Sequence, residues 1–122
     1  MIQSFRDLRV WQEGMDLAAE ICHITDRFPR TEIYGLTNQL RRAAVSVTSN
    51  IAEGHAREHT SEYLHHLSVA QASLAEVETQ IEIAARLNFL PTEQAKSLFA
   101  RCTPLAKQLH SLRRALKQRS GK

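Results

Sequence analysis

The chain has 122 residues, a net charge of +3, 43% hydrophobic and 6% aromatic residues, 4 Gly and 3 Pro. That length suits one ordinary domain, and so little Gly, Pro and aromatic content argues against a sheet with many hairpins. The opening MIQSFRD lacks an apolar signal core, and the longest charge-free run, 63–75, is shorter than the roughly 18 apolar residues of a membrane span, so an all-helical, cytoplasmic protein without a membrane partner is expected.

Residues 5–28 are predicted to form the first helix. Val10, Gly14, Leu17, Ile21, Ile24 and Phe28 draw one apolar stripe, and Leu8, Trp11, Met15, Ala18 and Cys22 draw a second beside it. Ser4 and Asp7 have capping-box spacing, and Pro29 ends the run. Two stripes exceed what one bundle core needs, so Trp11 and Met15 are expected to meet another subunit.

The next segment contains RRAAVSVTSNIAEG (41–54), whose signals conflict. Residues 45–49 alternate apolar and polar like a half-buried strand. Leu36, Leu40, Ala44, Val47 and Ile51 nevertheless share one helical face, and no other stretch alternates long enough to pair with a strand. A helix over 36–54 is predicted, closed by Gly54. Small Ala43, Ala44 and Ser46 permit close helix approach. Ser46, Ser49, Asn50 and Glu53 are expected to select a packing partner, with Asn50 and Glu53 bonding neighbouring backbone or the Arg41/Arg42 pair of another helix. Arg41 and Arg42 keep two readings, as structural ion-pair partners or as part of a basic surface.

A third helix is predicted over 60–87 from Tyr63, Leu67, Ala70, Leu74, Val77, Ile81 and Ala84, at spacings of three and four. Thr60 can cap it, Glu62 suits its positive end, and Asn88 can close it. The fourth, 92–118, repeats the pattern with Ala95, Leu98, Cys102, Leu105, Leu109, Leu112 and Leu116, starts at a Thr92 cap, and should kink near 100–104 at Pro104. Cys22 and Cys102 both lie on apolar stripes and are expected to be buried, reduced thiols. Connections near 29–35, 55–59 and 88–91 are short, which makes neighbouring helices antiparallel: an up-down-up-down four-helix bundle.

No catalytic, cofactor or metal site is expected. A di-iron bundle needs Glu-x-x-His on two helices and single glutamates on the others. Glu20 with His23, Glu62 with His65, and Glu53 come near this, but the fourth helix has no acid beyond Glu93, and Glu20 and His23 fall off the apolar stripe. His55, His59, Glu62 and His66 read as loop and cap residues rather than metal ligands. There is no Gly-rich phosphate loop. Neither Ser46 nor Ser49 has a His within its own helix to act as a base.

Charge is unevenly spread. Residues 1–93 hold 8 Lys/Arg and all 13 Asp/Glu; residues 94–122 hold 8 Lys/Arg and no acid. Lys107, Arg113, Arg114, Lys117, Arg119 and Lys122 make up the C-terminal part of this stretch, with Arg113, Arg114 and Lys117 off the leucine stripe and facing outward. One reading is a solvated face, or one paired with Glu76, Glu78 and Glu82. The other is a phosphate contact to RNA or DNA, to which Arg41 and Arg42 would add.

FRDLRVWQEGMDLA (5–18), the FP at 28–29, GLTNQLRRAAVSVTSNIAEG (35–54) and SLAEVETQIEIAARLNFL (73–90) together resemble the four-helix-bundle family encoded by intervening sequences of bacterial 23S ribosomal RNA genes. The likeness covers about three quarters of the chain. It departs at Thr48, where such proteins usually carry Pro, and at Pro104. The resemblance implies a non-enzymatic bundle without cofactors that assembles into homo-oligomeric rings, typically pentamers. It also points to a relative, the accessory protein of diversity-generating retroelements, which works with a reverse transcriptase and binds nucleic acid. Two functions are therefore expected as rivals: a nucleic-acid-binding oligomer, or a scaffold docking a protein such as a polymerase.

Overall fold

The computed structural model describes residues 2–120; Lys122 of the basic stretch lies outside them. Four helices account for the fold: α1 (Arg9–Thr25), α2 (Leu36–His55), α3 (Thr60–Arg86) and α4 (Thr92–Ser120). No strand occurs among the described residues. Consecutive helices pack side by side and α1 also meets α4, closing an antiparallel up-down-up-down bundle. Leu17, Ile21, Ile51, Leu67, Ile81 and Leu105 are among the fully enclosed side chains at its centre.

The segment VSVTS is helical within α2. Its backbone is satisfied along the helix, and Val47 and Thr48 turn inward while Val45 stays exposed. Helical periodicity over some 16 residues outweighs the β-propensity of five.

The first helix is shorter than predicted. Phe5–Asp7 form one 3₁₀ turn, and Leu8 is extended before α1 begins. The capping box at Ser4 and Asp7 exists, but it closes this turn. The Asp7 carboxylate accepts from the Gln3 and Ser4 N–H groups at 2.9 and 3.2 Å, and those bonds hold it below its ordinary pKa. At the other end, Thr25 donates its hydroxyl to the Ile21 carbonyl at 2.7 Å. Single turn bonds then carry the chain to Phe28.

Gly54 does not cap α2. The helix continues to His55, and Gly54 is buried inside it with no left-handed φ. A Cβ there would lie 2.8 Å from His66 Cβ and 3.0 Å from the Tyr63 ring, so glycine is needed because α3 passes too close for any side chain. Thr60 likewise is the first helical residue of α3, and its expected capping bond is absent. Asn88, however, does close α3: it takes φ 61°, Phe89 N–H reaches the Ala84 carbonyl at 2.9 Å, and Asn88 N–H reaches Ala85 at 3.1 Å. That is a Schellman ending. It sets the Phe89 ring 5.6 Å from Phe28 and ties the 88–91 connection to the 29–35 connection at one end of the bundle.

α4 runs unbroken through Pro104. Pro104 and Ala100 are both exposed, so the carbonyl deprived of its N–H partner is open to water. Cys102 is buried and its thiol is pushed up to about 12, by burial first and then by the charge of Glu78. Cys22 departs from expectation: it is a free, exposed thiol. The second stripe of α1 is thus mostly the monomer's own. Leu8 and Trp11 pack against the core and Ala18 is buried, leaving Met15 at 43% exposure.

Candidate functional site

Arg41 projects from α2 toward the end of α1. Its Nε donates to Thr25 Oγ1 at 2.7 Å, and its Nη2 meets Asp26 Oδ1 at 2.8 Å and the Cys22 carbonyl at 3.4 Å. The guanidinium thereby occupies the C-terminal end of α1, where unpaired carbonyls favour a cation. Of the two readings for the Arg41/Arg42 pair, Arg41 carries the structural one. Arg42, one residue on, is exposed and lines a shallow groove of about 380 Å³ with Asn38, Gln39, Ser46, Ser73 and Glu76.

The polar residues of the 41–54 stretch meet α3. Ser46 and Ser73 hydroxyls lie 2.8 Å apart. Asn50 donates from Nδ2 to the Ser46 carbonyl at 2.9 Å and to Ser46 Oγ at 3.1 Å. Its Oδ1 lies 3.0 Å from His66 Nδ1, and Glu53 Oε2 stands 3.7 Å from the same nitrogen. Asn50 and Glu53 therefore engage His66 and not the arginine pair. Ser49 is half-buried and makes no side-chain hydrogen bond among the described residues. His66, expected as a loop or cap histidine, instead lies half-buried within α3 as a partner of α2; a signal existed, since the polar residues His66, Ser73 and Gln80 recur every seven residues alongside the apolar stripe.

Along distal α4, Lys107, Arg114, Lys117 and Arg119 are exposed. Arg113 does not share that outward side. It is half-buried and donates from Nη1 to Gln71 Oε1 of α3, while its Nε is buried without a partner among the described residues. Higher up, Arg101 lies 3.6 Å from Glu20 of α1, so that acid pairs outward rather than toward a metal. Among the described residues no three His, Cys, Asp or Glu side chains gather closely enough to hold a metal ion, and no helix is long and apolar enough to cross a membrane.

Two larger depressions remain. Between α3 and α4, Glu78, Thr79, Glu82, Ile83, Arg86, Phe99 and Thr103 line an open groove of about 720 Å³. At the α1–α2 connection, Thr25, Phe28, Pro29, Arg30, Ile33 and Arg41 are among the residues around a hollow of about 440 Å³.

A family model described as 23S rRNA-intervening sequence protein matches residues 6–111. Among solved structures, this chain is similar to a protein of unknown function from the S23 ribosomal protein family of Bacteroides thetaiotaomicron VPI-5482. That likeness has 21% identity and a TM-score of 0.79 and covers 84% of this chain and 96% of that one. At such identity it speaks for the fold alone. No curated protein matches this chain.

Proposed function

The chain belongs to the family of 23S rRNA-intervening sequence proteins, and on that footing we propose that it is a non-catalytic, self-associating bundle that binds RNA or DNA phosphates through distal α4. The observation behind this reading is that α4 carries no acid after Glu93 and exposes Lys107, Arg114, Lys117 and Arg119. Repetition of this surface once per subunit makes a modest patch multivalent. Arg42 stays exposed on α2, in the groove with Ser73 and Glu76 of α3, whereas Arg113, held by Gln71, and Arg41, held by Thr25 and Asp26, are committed internally.

Replacing Lys107, Arg114 and Arg119 by Gln tests the reading without disturbing buried contacts. RNA affinity near physiological salt should fall, and the log–log salt slope should flatten by roughly 0.7 per lost contact on a single strand. Equal, negligible affinities for wild type and variant would remove the proposal. Self-association, as a pentamer in the first instance, draws on the exposed apolar side chains Met15 and Val45, at 43% and 48%. Met15→Glu with Val45→Glu should lower the mass seen by light scattering while leaving the melting temperature nearly unchanged; a wild type of monomer mass would refute it.

The rival reading, a protein scaffold, draws support from the α3–α4 groove with its partly open Ile83 and Phe99. In that case Ile83→Glu, and not the α4 variant, should abolish capture of the partner.

A further inference from the structure

The most exposed large hydrophobic side chain among the described residues belongs to no core. Tyr34 is 92% exposed, beside Ile33 at 54%, in the connection between α1 and α2. That connection is firmly shaped: residues 30–32 form a 3₁₀ turn, Gly35 N–H bonds the Glu32 carbonyl at 2.9 Å, and Glu32 Oε1 accepts from Leu36 N–H at 3.1 Å. The ring of Tyr34 therefore stands on a fixed base.

The charges around it are unbalanced in a particular way. Both acids of residues 26–35 are committed internally, Asp26 to Arg41 and Glu32 to the start of α2. Arg27 and Arg30 are exposed, and their side chains make no ion pair or hydrogen bond among the described residues. Arg30 lines the hollow whose apolar walls include Phe28, Pro29 and Ile33. An exposed aromatic face, two uncommitted guanidinium groups and an adjoining hollow match a ligand with planar rings on an anionic backbone.

We propose that the α1–α2 connection is a base-stacking contact for single-stranded nucleic acid, with Tyr34 under one base and Arg27 and Arg30 on the flanking phosphates. This rests on the nucleic-acid reading given above but locates a second contact. α4 starts beside this end, at the Phe28–Phe89 junction, and runs about 40 Å to its basic terminus. The two contacts lie at opposite ends of the bundle, so one strand can bridge them. An acidic peptide fits the two arginines equally well, yet it does not need an aromatic ring. That difference separates the two.

The test measures binding of a fluorescein-labelled oligoadenylate RNA near physiological salt to wild type, Tyr34→Phe, Tyr34→Leu and Arg27→Gln/Arg30→Gln, with mass and melting temperature recorded for each. Tyr34→Phe should bind like wild type. Tyr34→Leu should lose about 5- to 150-fold, the range one base stack on an aromatic ring supplies. The double arginine variant should flatten the salt slope. An RNA duplex closed at both ends by hairpin loops of abasic linker, with no base face open to a side chain, should be indifferent to Tyr34. Equal affinity of Tyr34→Leu and wild type overturns the proposal, and so does a changed mass in Tyr34→Leu, which would make the ring a subunit contact. Loss of binding in the α4 variant with none in Tyr34→Leu removes this contact and keeps the α4 reading. The converse result keeps this contact and removes that one.

Discussion

α3 is shared by two seams of opposite character. Toward α2 it presents Tyr63, His66 and Ser73 to Gly54, Asn50 and Ser46, a line of small and polar residues joined by hydrogen bonds. Toward α4, Arg113 donates to Gln71, and the fourth helix contributes a ladder of Leu98, Cys102, Leu105 and Leu109 to the core. The apolar ladder supplies driving force without direction, since burial depends on area and not on register. Hydrogen bonds and a glycine-tight approach supply register with little net energy. α3 thus takes its alignment chiefly from the α2 side, while apolar burial reaches it from both neighbours.

Substitutions in the two seams should differ accordingly. The largest loss is expected on the ladder: Leu105→Ala, at a fully enclosed position, should cost about 2–5 kcal/mol in denaturant melts by leaving a cavity. Next comes Gly54→Ala, which sets a methyl 2.8 Å from His66 Cβ and 3.3 Å from the Tyr63 carbonyl. It should cost about 1–3 kcal/mol, because backbone has to move. Gly14→Ala, between α1 and α2, sets a methyl 3.1 Å from Thr48 Cβ and 3.6 Å from its Cα; this approach is less close than the 2.8 Å at Gly54, and the variant should cost less than Gly54→Ala. If Gly54→Ala melted like wild type, the close-approach account of the α2–α3 seam would fail.

Asn50→Ala should cost about 1 kcal/mol and, more tellingly, should loosen the register. Hydrogen exchange should rise along α2 and α3 together while α4 stays protected. Uniform protection would leave the seam without its aligning role.

The smallest effect concerns the ladder's thiol. Burial raises Cys102 from 9.0 to about 12, so the unfolded chain releases that proton first. Stability from this group is complete below pH 9.0 and declines as pH rises from there toward about 12. In native protein at neutral pH, iodoacetamide should label exposed Cys22 and spare Cys102 until unfolding.

Much of this was legible from spacing. The stripes at 63–84 and 95–116 name the buried faces of α3 and α4 because a helix core is a matter of period. Asn88 was readable too, since few residues but Asn and Gly tolerate a positive φ at a helix end. What escaped was whatever depends on distance between helices. Gly54 looks the same in sequence whether it ends a helix or admits a neighbour. Arg41 reveals its role only when Thr25 and Asp26 arrive beside it. Leu8 breaks the first helix through an extended backbone that its own side chain does not demand. The polar partners on α3, His66 and Ser73, were half-legible, because their seven-residue spacing runs beside an apolar stripe with a much stronger period.

Because each strong helix contact joins neighbours in the chain, the bundle can assemble hairpin by hairpin, with little loop entropy to overcome. Such local topologies refold in microseconds to milliseconds. The α1–α4 contact, the one pairing of non-consecutive α-helices among the described residues, closes the structure and belongs late in that order. Glu20→Ala or Arg101→Ala should therefore speed unfolding while leaving the refolding rate unchanged in stopped-flow mixing.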